Sequence, residues 1–262
     1  MARITKAMVY KSHGIEFKDG KILSPIGWIN PLLKDGNTKT GYKVKTFSTL
    51  PTNKEYHAEF NGIKTVLNGT CPCHCKECYA TKGMYNCPSC INSLALNTYL
   101  CKYHLDFVER AIIAQIKADK ITLCRIHASG DFMNDEYAYM WKRIVAMFTN
   151  CAFWTYTKVS KYESLFDGLK NAKIVKSVIK GFGFNYGHCG YILTVYRALI
   201  AQGKRVYICR CGIDKNQHCA NCHGCLDYEY VLFVEHSTEY VAENDKDYEE
   251  LKAVIESQEK QY

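Results

Sequence analysis

The sequence predicts an α/β chain: an open, partial (β/α)6 barrel with a short N-terminal β-rich extension and a C-terminal Cys-rich metal segment. Three observations predict it. After Gly62, short apolar, β-branched runs alternate with stretches of helical period, the pattern of a parallel sheet with crossover helices. The first of these runs leads straight into a thiol-dense loop, Gly69 to Ala80, read GTCPCHCKECYA. A second thiol-dense segment, CRCGIDKNQHCANCHGC from Cys209 to Cys225, follows the fifth run. Six strand–helix units suit an open barrel better than a complete eightfold one. The organisation expected is residues 1–62 as the extension and 63–262 as the partial barrel, carrying the cluster loop at 69–80 and the insert at 209–225.

The elements follow in order. Residues 1–62 are polar and irregular, with short alternating pieces at Ala7–Tyr10 and Tyr42–Phe47 that predict strands, and turns at Asp19-Gly20, Asp35-Gly36 and Asn61-Gly62. Leu33–Pro51 reads as a hairpin. Gly62–Asn68 is the first barrel strand, so the thiols of the next loop leave its C-terminal end, where parallel α/β folds bind ligands. Ile91–Lys117 holds apolar residues at helical spacing without Pro or Gly and predicts one helix. Ile121–His127 is the second strand, followed by a helix over Asn134–Phe148. Cys151–Thr157 is the third, followed by a helix near Tyr162–Leu169. Lys173–Ile179 is the fourth, Gly187–Ala201 is helical, Arg205–Cys209 is the fifth and Val231–His236 the sixth. An amphipathic helix over Asp245–Gln258 closes the chain.

Composition narrows the classes. The chain has 262 residues, 47% of them hydrophobic, enough for a sizeable core, and 15 Cys. Met1 to Phe17 lacks the apolar stretch of a signal peptide, and no run reaches the length of a membrane span, so no membrane partner and a cytoplasmic setting are expected. In that setting thiols are metal ligands or reduced core residues rather than disulfides. The net charge of +8 permits contact with nucleic acid or phosphorylated substrates, although a Lys-rich solvated surface is the simpler reading of it.

The thiol loop carries the most specific chemistry. Cys71, Cys75 and Cys78 stand in C-x3-C-x2-C spacing, which holds three irons of a [4Fe-4S] cluster and leaves the fourth open to a small molecule. With Cys73 added, the same run also reads as a zinc knot. Zinc sites usually pair two separate C-x2-4-C units, so iron–sulfur is the favoured reading. A further pair, Cys87-x2-Cys90, either extends this metal loop or marks the start of a helix. In the second segment, Cys219-x2-Cys222-x2-Cys225 has ferredoxin-like spacing, with Cys211 as fourth ligand and Cys209 as its alternate; a second [4Fe-4S] cluster and zinc both fit. His218 and His223 are substitute ligands. Candidate catalytic groups at strand ends and Gly-punctuated loops are Tyr156, Lys158, Cys189 and His236.

The loop ending Cys78-Tyr79-Ala80 resembles that of the radical S-adenosylmethionine (radical SAM) superfamily, with Glu77 where that superfamily usually has an aromatic residue. The resemblance implies S-adenosylmethionine as the ligand of the open iron, reductive cleavage to a 5′-deoxyadenosyl radical, and a small electron donor such as flavodoxin or ferredoxin. It also implies that Ser129-Gly130-Asp131, where the superfamily has a Gly-Gly-Glu-like turn, binds the cofactor's methionine end. Over about Leu33 to His236 the chain further resembles the phage and prophage family called gene product 88. GNTK with TFSTLP (Gly36 to Pro51), TCP…C…CYA (Thr70 to Ala80), RIHASGDF (Arg125 to Phe132), FWTYTK (Phe153 to Lys158) and the late Cys-rich segment carry that likeness. It implies a phage or prophage protein acting in the cytoplasm of a bacterial host, with a nucleotide or nucleobase as the expected substrate. The competing expectation is a catalytically inactive, metal-stapled binding module, with nucleic acid as its partner.

Overall fold

In the computed structural model, residues 4–37, 40–73, 78–212, 214, 217–222, 224–234 and 246–259 are described. The chain opens with helix α1 (Lys6–Ser12), capped by the Thr5 hydroxyl, which accepts from Met8 N at 3.3 Å. The sequence predicts a strand here, but Lys6, Ala7 and Met8 favour helix, and burying Tyr10 against Phe17, with ring centroids 4.9 Å apart, fixes it. An antiparallel meander follows, β1 (Phe17–Lys18), β2 (Lys21–Ser24) and β3 (Gly27–Ile29). Next come β4 (Lys34–Asp35) and β5 (Lys45–Phe47), an antiparallel pair as the hairpin reading expects.

β6 (Glu55–Phe60) and β7 (Ile63–Asn68) form a separate two-stranded hairpin around Asn61-Gly62, both at positive φ. This corrects the expectation that 62–68 is the first strand of the main sheet. That place belongs to β5, which pairs in parallel with β8 (Leu123–Ile126). Between them lie the thiol loop and two helices, α2 (Pro88–Tyr103) and α3 (Leu105–Asp119). The single helix expected over 91–117 is broken at His104, whose backbone (φ −142°, ψ 46°) leaves the helical region. The apolar periodicity runs through the break and conceals it.

α4 (Asp135–Met147), capped by the Asn134 side chain, crosses from β8 to β9 (Ala152–Thr157). β10 (Ala172–Lys176) pairs in parallel with β9. The helix expected near 162–169 is instead a 3-10 turn at Ser160–Tyr162 followed by further turns. Tyr162, Leu165 and Phe166 still enter the core, which explains their helix-like spacing. The central sheet therefore runs β10-β9-β8-β5-β4. A short antiparallel pair, β11 (Val178–Ile179) with β12 (Gly183–Phe184), leads to a second sheet. There β13 (Tyr186–Gly187), β14 (Val206–Ile208) and β15 (Tyr230–Val234) lie parallel in the order β13-β15-β14. Helix α5 (Cys189–Ala201), the short α6 (Gly224–Asp227) and α7 (Lys246–Glu259) complete the chain. The second to sixth strands expected in the partial barrel are thus distributed between a central sheet, parallel except at its β4 edge, and a second, parallel sheet.

Side-chain alternation gives the central sheet two different faces. Phe47, Cys124, Ile126, Phe153 and Ile174 share one face and pack with Val108, Ile112, Trp141 and Ile144 of α3 and α4 in the largest core cluster. Each such side chain contributes about 1.5–3 kcal/mol over exposure. Leu123, Arg125, Trp154, Tyr156 and Val175 share the other face, where β14, β15 and the Cys-rich segment meet the sheet.

Candidate functional site

Strands β5, β8 and β9 are parallel, so their C-terminal ends share one rim. Three connections meet there: Thr49 after β5, Ala128–Asp131 after β8, and Thr157-Lys158 closing β9. The Asp131 carboxylate ties two of them together. Its Oδ1 accepts from Phe132 N (2.8 Å) and the Thr157 hydroxyl (2.7 Å), and its Oδ2 accepts from Lys158 N (2.9 Å). Burial raises this carboxyl above its ordinary range, against the pull of those same hydrogen bonds.

The thiol loop is clamped to this rim at both ends. At its start, the Thr70 hydroxyl accepts from Asp131 N (3.0 Å), donates to the Leu50 carbonyl (3.1 Å) and meets the Thr49 hydroxyl at 2.9 Å. Cys71 N donates to Thr52 O at 3.0 Å. At its end, the Tyr79 hydroxyl donates to the Ala128 carbonyl. The loop thus leaves a hairpin rather than the main-sheet strand expected over 62–68, and its ends meet the C-terminal rim of the central sheet through Thr70 and Tyr79.

Of the expected triad, Cys71 is buried and Cys78 half-buried, while Cys75 lies outside the described residues, as does Glu77. Burial pushes the Cys71 thiol up to about 11; the Asp131 carboxylate adds to the rise and Lys158 opposes it. Both groups therefore lie within electrostatic reach of this thiol. Cys73 is half-buried on the same loop. Cys87 and Cys90 flank the first turn of α2. The Ser89 hydroxyl lowers the half-buried Cys87 thiol, and burial raises that of Cys90.

Ser129 and Gly130 belong to the clamp. The Ser129 hydroxyl donates to Thr49 O, and Thr49 N donates to Ser129 O, each at 3.0 Å. Behind the rim, His127 is buried with positive φ (58°), its Nε2 2.8 Å from the Tyr137 hydroxyl and its Nδ1 3.3 Å from that of Thr155. Burial pulls its imidazole down to about 3, with the Arg125 charge adding to the fall.

The second thiol segment lies on the far face of the sheet. Cys209, Cys211, Cys219, Cys222 and Cys225 line one cavity with Leu123, Trp154, Tyr207 and Leu226. Ala220 N donates to Thr40 O at 3.1 Å, which docks the segment on the β4–β5 loop. The Tyr207 hydroxyl lies 3.2 Å from the Cys222 sulfur and the Tyr156 hydroxyl 2.8 Å from that of Cys225. A hydrogen bond with Cys209 pushes the Cys211 thiol up to about 12, and burial does the same for Cys225. Among the described residues, no group of three or more His, Cys, Asp or Glu side chains is drawn together around one ion position. The donor set is nonetheless uniformly soft sulfur, suited to zinc or iron–sulfur ligation.

The sequence candidates divide between these places. Ser129, Gly130, Asp131 and Lys158 stand at the rim beside Cys71. Tyr156 belongs to the second cavity. Cys189 begins α5 and is buried among Ile192, Leu193 and Val195 in the core of the second sheet. His236 and His223 lie outside the described residues. Thr49, Thr70, Arg125, His127 and Trp154 were not singled out as site residues, although each lies inside a motif quoted for the family likeness. A short polar motif holding a Thr or Arg is the signal that marks them.

A family model described as Gene product 88 matches residues 31–181. The Gene 88 protein of Mycobacterium phage D29 is 28% identical over 94 residues, spanning 32% of this chain and 39% of that protein. The match thus reaches about two fifths of the relative's length. No solved structure matches.

Proposed function

The chain belongs to the gene product 88 family, and from the geometry of its thiol loop we propose that it is a radical SAM-type iron–sulfur enzyme. The observation that carries this reading is the double clamp: Thr70 on Asp131 and Tyr79 on Ala128 hold the two ends of the C-x3-C-x2-C loop at the turn that follows β8. Cys71, Cys75 and Cys78 are the ligands in this reading, and the soft sulfur donors suit iron. When bound, a reduced [4Fe-4S] cluster supplies the electron that cleaves S-adenosylmethionine to a 5′-deoxyadenosyl radical. The chain's own part is binding, orientation and exclusion of water. The Ser129–Asp131 turn presents backbone beside the loop, and Lys158 brings positive charge near Cys71. The central sheet, parallel except at its β4 edge and covered on one face by α3 and α4, is read together with the second, parallel sheet as the open partial barrel of such an enzyme. A nucleotide or nucleobase substrate is in keeping with the family's phage setting and the +8 charge.

The test is anaerobic reconstitution with iron and sulfide, then dithionite and S-adenosylmethionine. The expected product is 5′-deoxyadenosine, lost in Cys71→Ala. An intact cluster that yields none sinks the proposal.

One observation favours a second reading, the metal-stapled binding module. Asp131 spends three acceptor positions on its own chain, which suits a structural tie better than a grip on a ligand ammonium. Binding of DNA or RNA that weakens steeply with salt, without S-adenosylmethionine cleavage, is the outcome this reading expects.

A further inference from the structure

Buried hydrogen-bond donors almost always find acceptors, so two orphans side by side at a cavity call for an explanation. Among the described residues, Arg125 Nε, Trp141 Nε1, Trp154 Nε1 and His218 Nδ1 are buried without a partner; Trp141 lies in the core on the opposite face, whereas Arg125 and Trp154 adjoin on neighbouring strands, paired in register. Trp154 is 3% exposed and lines the five-thiol cavity. Arg125 sits on the same sheet face, its guanidinium carbon 5.0 Å from the centre of the Tyr156 ring. Its strongest charge neighbours are phenols and a thiol, those of Tyr79, Tyr156 and Cys219. Arg125 Nε and the indole N–H of Trp154 lack an acceptor beside these thiols, and the phenols and thiol nearest the guanidinium offer no carboxylate counter-charge. Ligated thiolates supply both: four of them around a divalent ion, or around a four-iron core, leave a net negative centre whose sulfurs accept N–H bonds.

We propose that Cys211, Cys219, Cys222 and Cys225 hold an anionic metal–thiolate centre, with Arg125 Nε–H and Trp154 Nε1–H as positioning donors to its sulfurs. This goes beyond the reading of the first loop and does not depend on it. Each ligating thiol gives up its proton as the metal enters; zinc binding changes no oxidation state, and a four-iron core forms without a further oxidant or reductant when ferric and ferrous iron are supplied in equal number. Arg125 also reaches the other site, its Nη2 donating to the Tyr79 hydroxyl at 3.4 Å. One cation therefore faces the second centre while holding the end of the first loop.

The test uses the full chain with Cys71→Ala and Cys78→Ala, so that the first loop cannot contribute. It is loaded without air, in one arm with zinc and in the other with iron and sulfide. Retention of either metal, lost on adding Cys219→Ala and Cys222→Ala, is the expected result, and the arm that retains metal identifies it. Trp154 fluorescence is quenched by an iron–sulfur centre and perturbed by zinc. Arg125→Gln and Trp154→Phe, which keep the side-chain shapes, weaken retention against a chelator by about tenfold or more each, as outer-shell donors do. In the iron arm they also shift the reduction potential to more negative values, a change that a purely structural role does not produce. Failure to retain either metal overturns the proposal. So does retention indifferent to Cys219 and Cys222, or unchanged in both donor variants. Loss of 5′-deoxyadenosine formation with this centre intact counts only against the first-loop reading.

Discussion

Gly130 sits where a side chain has no room. Its φ is +87°, and an added Cβ would stand 2.0 Å from the Thr49 hydroxyl and 2.7 Å from that of Thr70, the two groups that anchor the thiol loop. Gly130→Ala is expected to destabilise the protein by about 2–4 kcal/mol, combining backbone strain with displacement of buried polar groups. Urea denaturation measures the loss, and faster alkylation of Cys71 reports the freed loop. His127 contributes a pH dependence. Its imidazole takes a proton near 6.5 when unfolded and near 3 when folded. Between those values the unfolded state binds more protons, so stability falls as pH drops through that window and is flat above it. The loss reaches up to about 5 kcal/mol. His127→Asn tolerates the positive φ and does not titrate, so its urea midpoint should change less between about pH 7 and about pH 4. An equally steep slope in the variant would assign the acid sensitivity elsewhere.

At the scale of elements, the loop is held by one hydroxyl more than by any strand. Thr70→Val keeps the shape and deletes the acceptor of Asp131 N, leaving a buried donor unpaired. The expected cost is about 1–3 kcal/mol, with hydrogen exchange at the Asp131 amide accelerated. No change in either would deny the clamp. The elements legible in the sequence were those whose packing follows their own period: α4, β8, β9, α5 and α7 lie where apolar spacing puts them. The misread ones obey tertiary partners instead. β7 alternates like a barrel strand because one side of its hairpin meets Leu50, Leu94 and Ala95. β5, only Lys-Thr-Phe, shows little apolar signal, yet it is the strand that β8 selects. The run over 162–169 has helical spacing because Tyr162, Leu165 and Phe166 reach one core from turns.

Across the whole molecule, two groups of thiols lie at different parts of one sheet: the first loop at its rim and the second segment on the face opposite α3 and α4, where β14 and β15 also pack. Both were visible as cysteine spacing. Their separation, and the residues that serve them, were not, because Arg125 and Trp154 acquire meaning only when strand pairing sets them side by side. Among the described residues no helix is long and apolar enough to cross a membrane. The raised thiols make metal loading a proton-coupled event. With Cys71 near 11 and Cys211 and Cys225 near 12, these groups are protonated at neutral pH, and each that becomes a ligand must release its proton. Anaerobic zinc loading in weak buffer should therefore release about one proton per ligating thiol, and affinity should rise with pH. Loading without proton release would mean that these thiols are not the ligands.

If the clamped loop holds a four-iron cluster open to S-adenosylmethionine, electron paramagnetic resonance will show it on reduced, anaerobically reconstituted protein carrying Cys219→Ala and Cys222→Ala, with and without S-adenosylmethionine. The expected result is a four-iron signal that shifts on addition of S-adenosylmethionine and vanishes in Cys71→Ala. A loop that binds no iron, or a signal indifferent to S-adenosylmethionine, contradicts it.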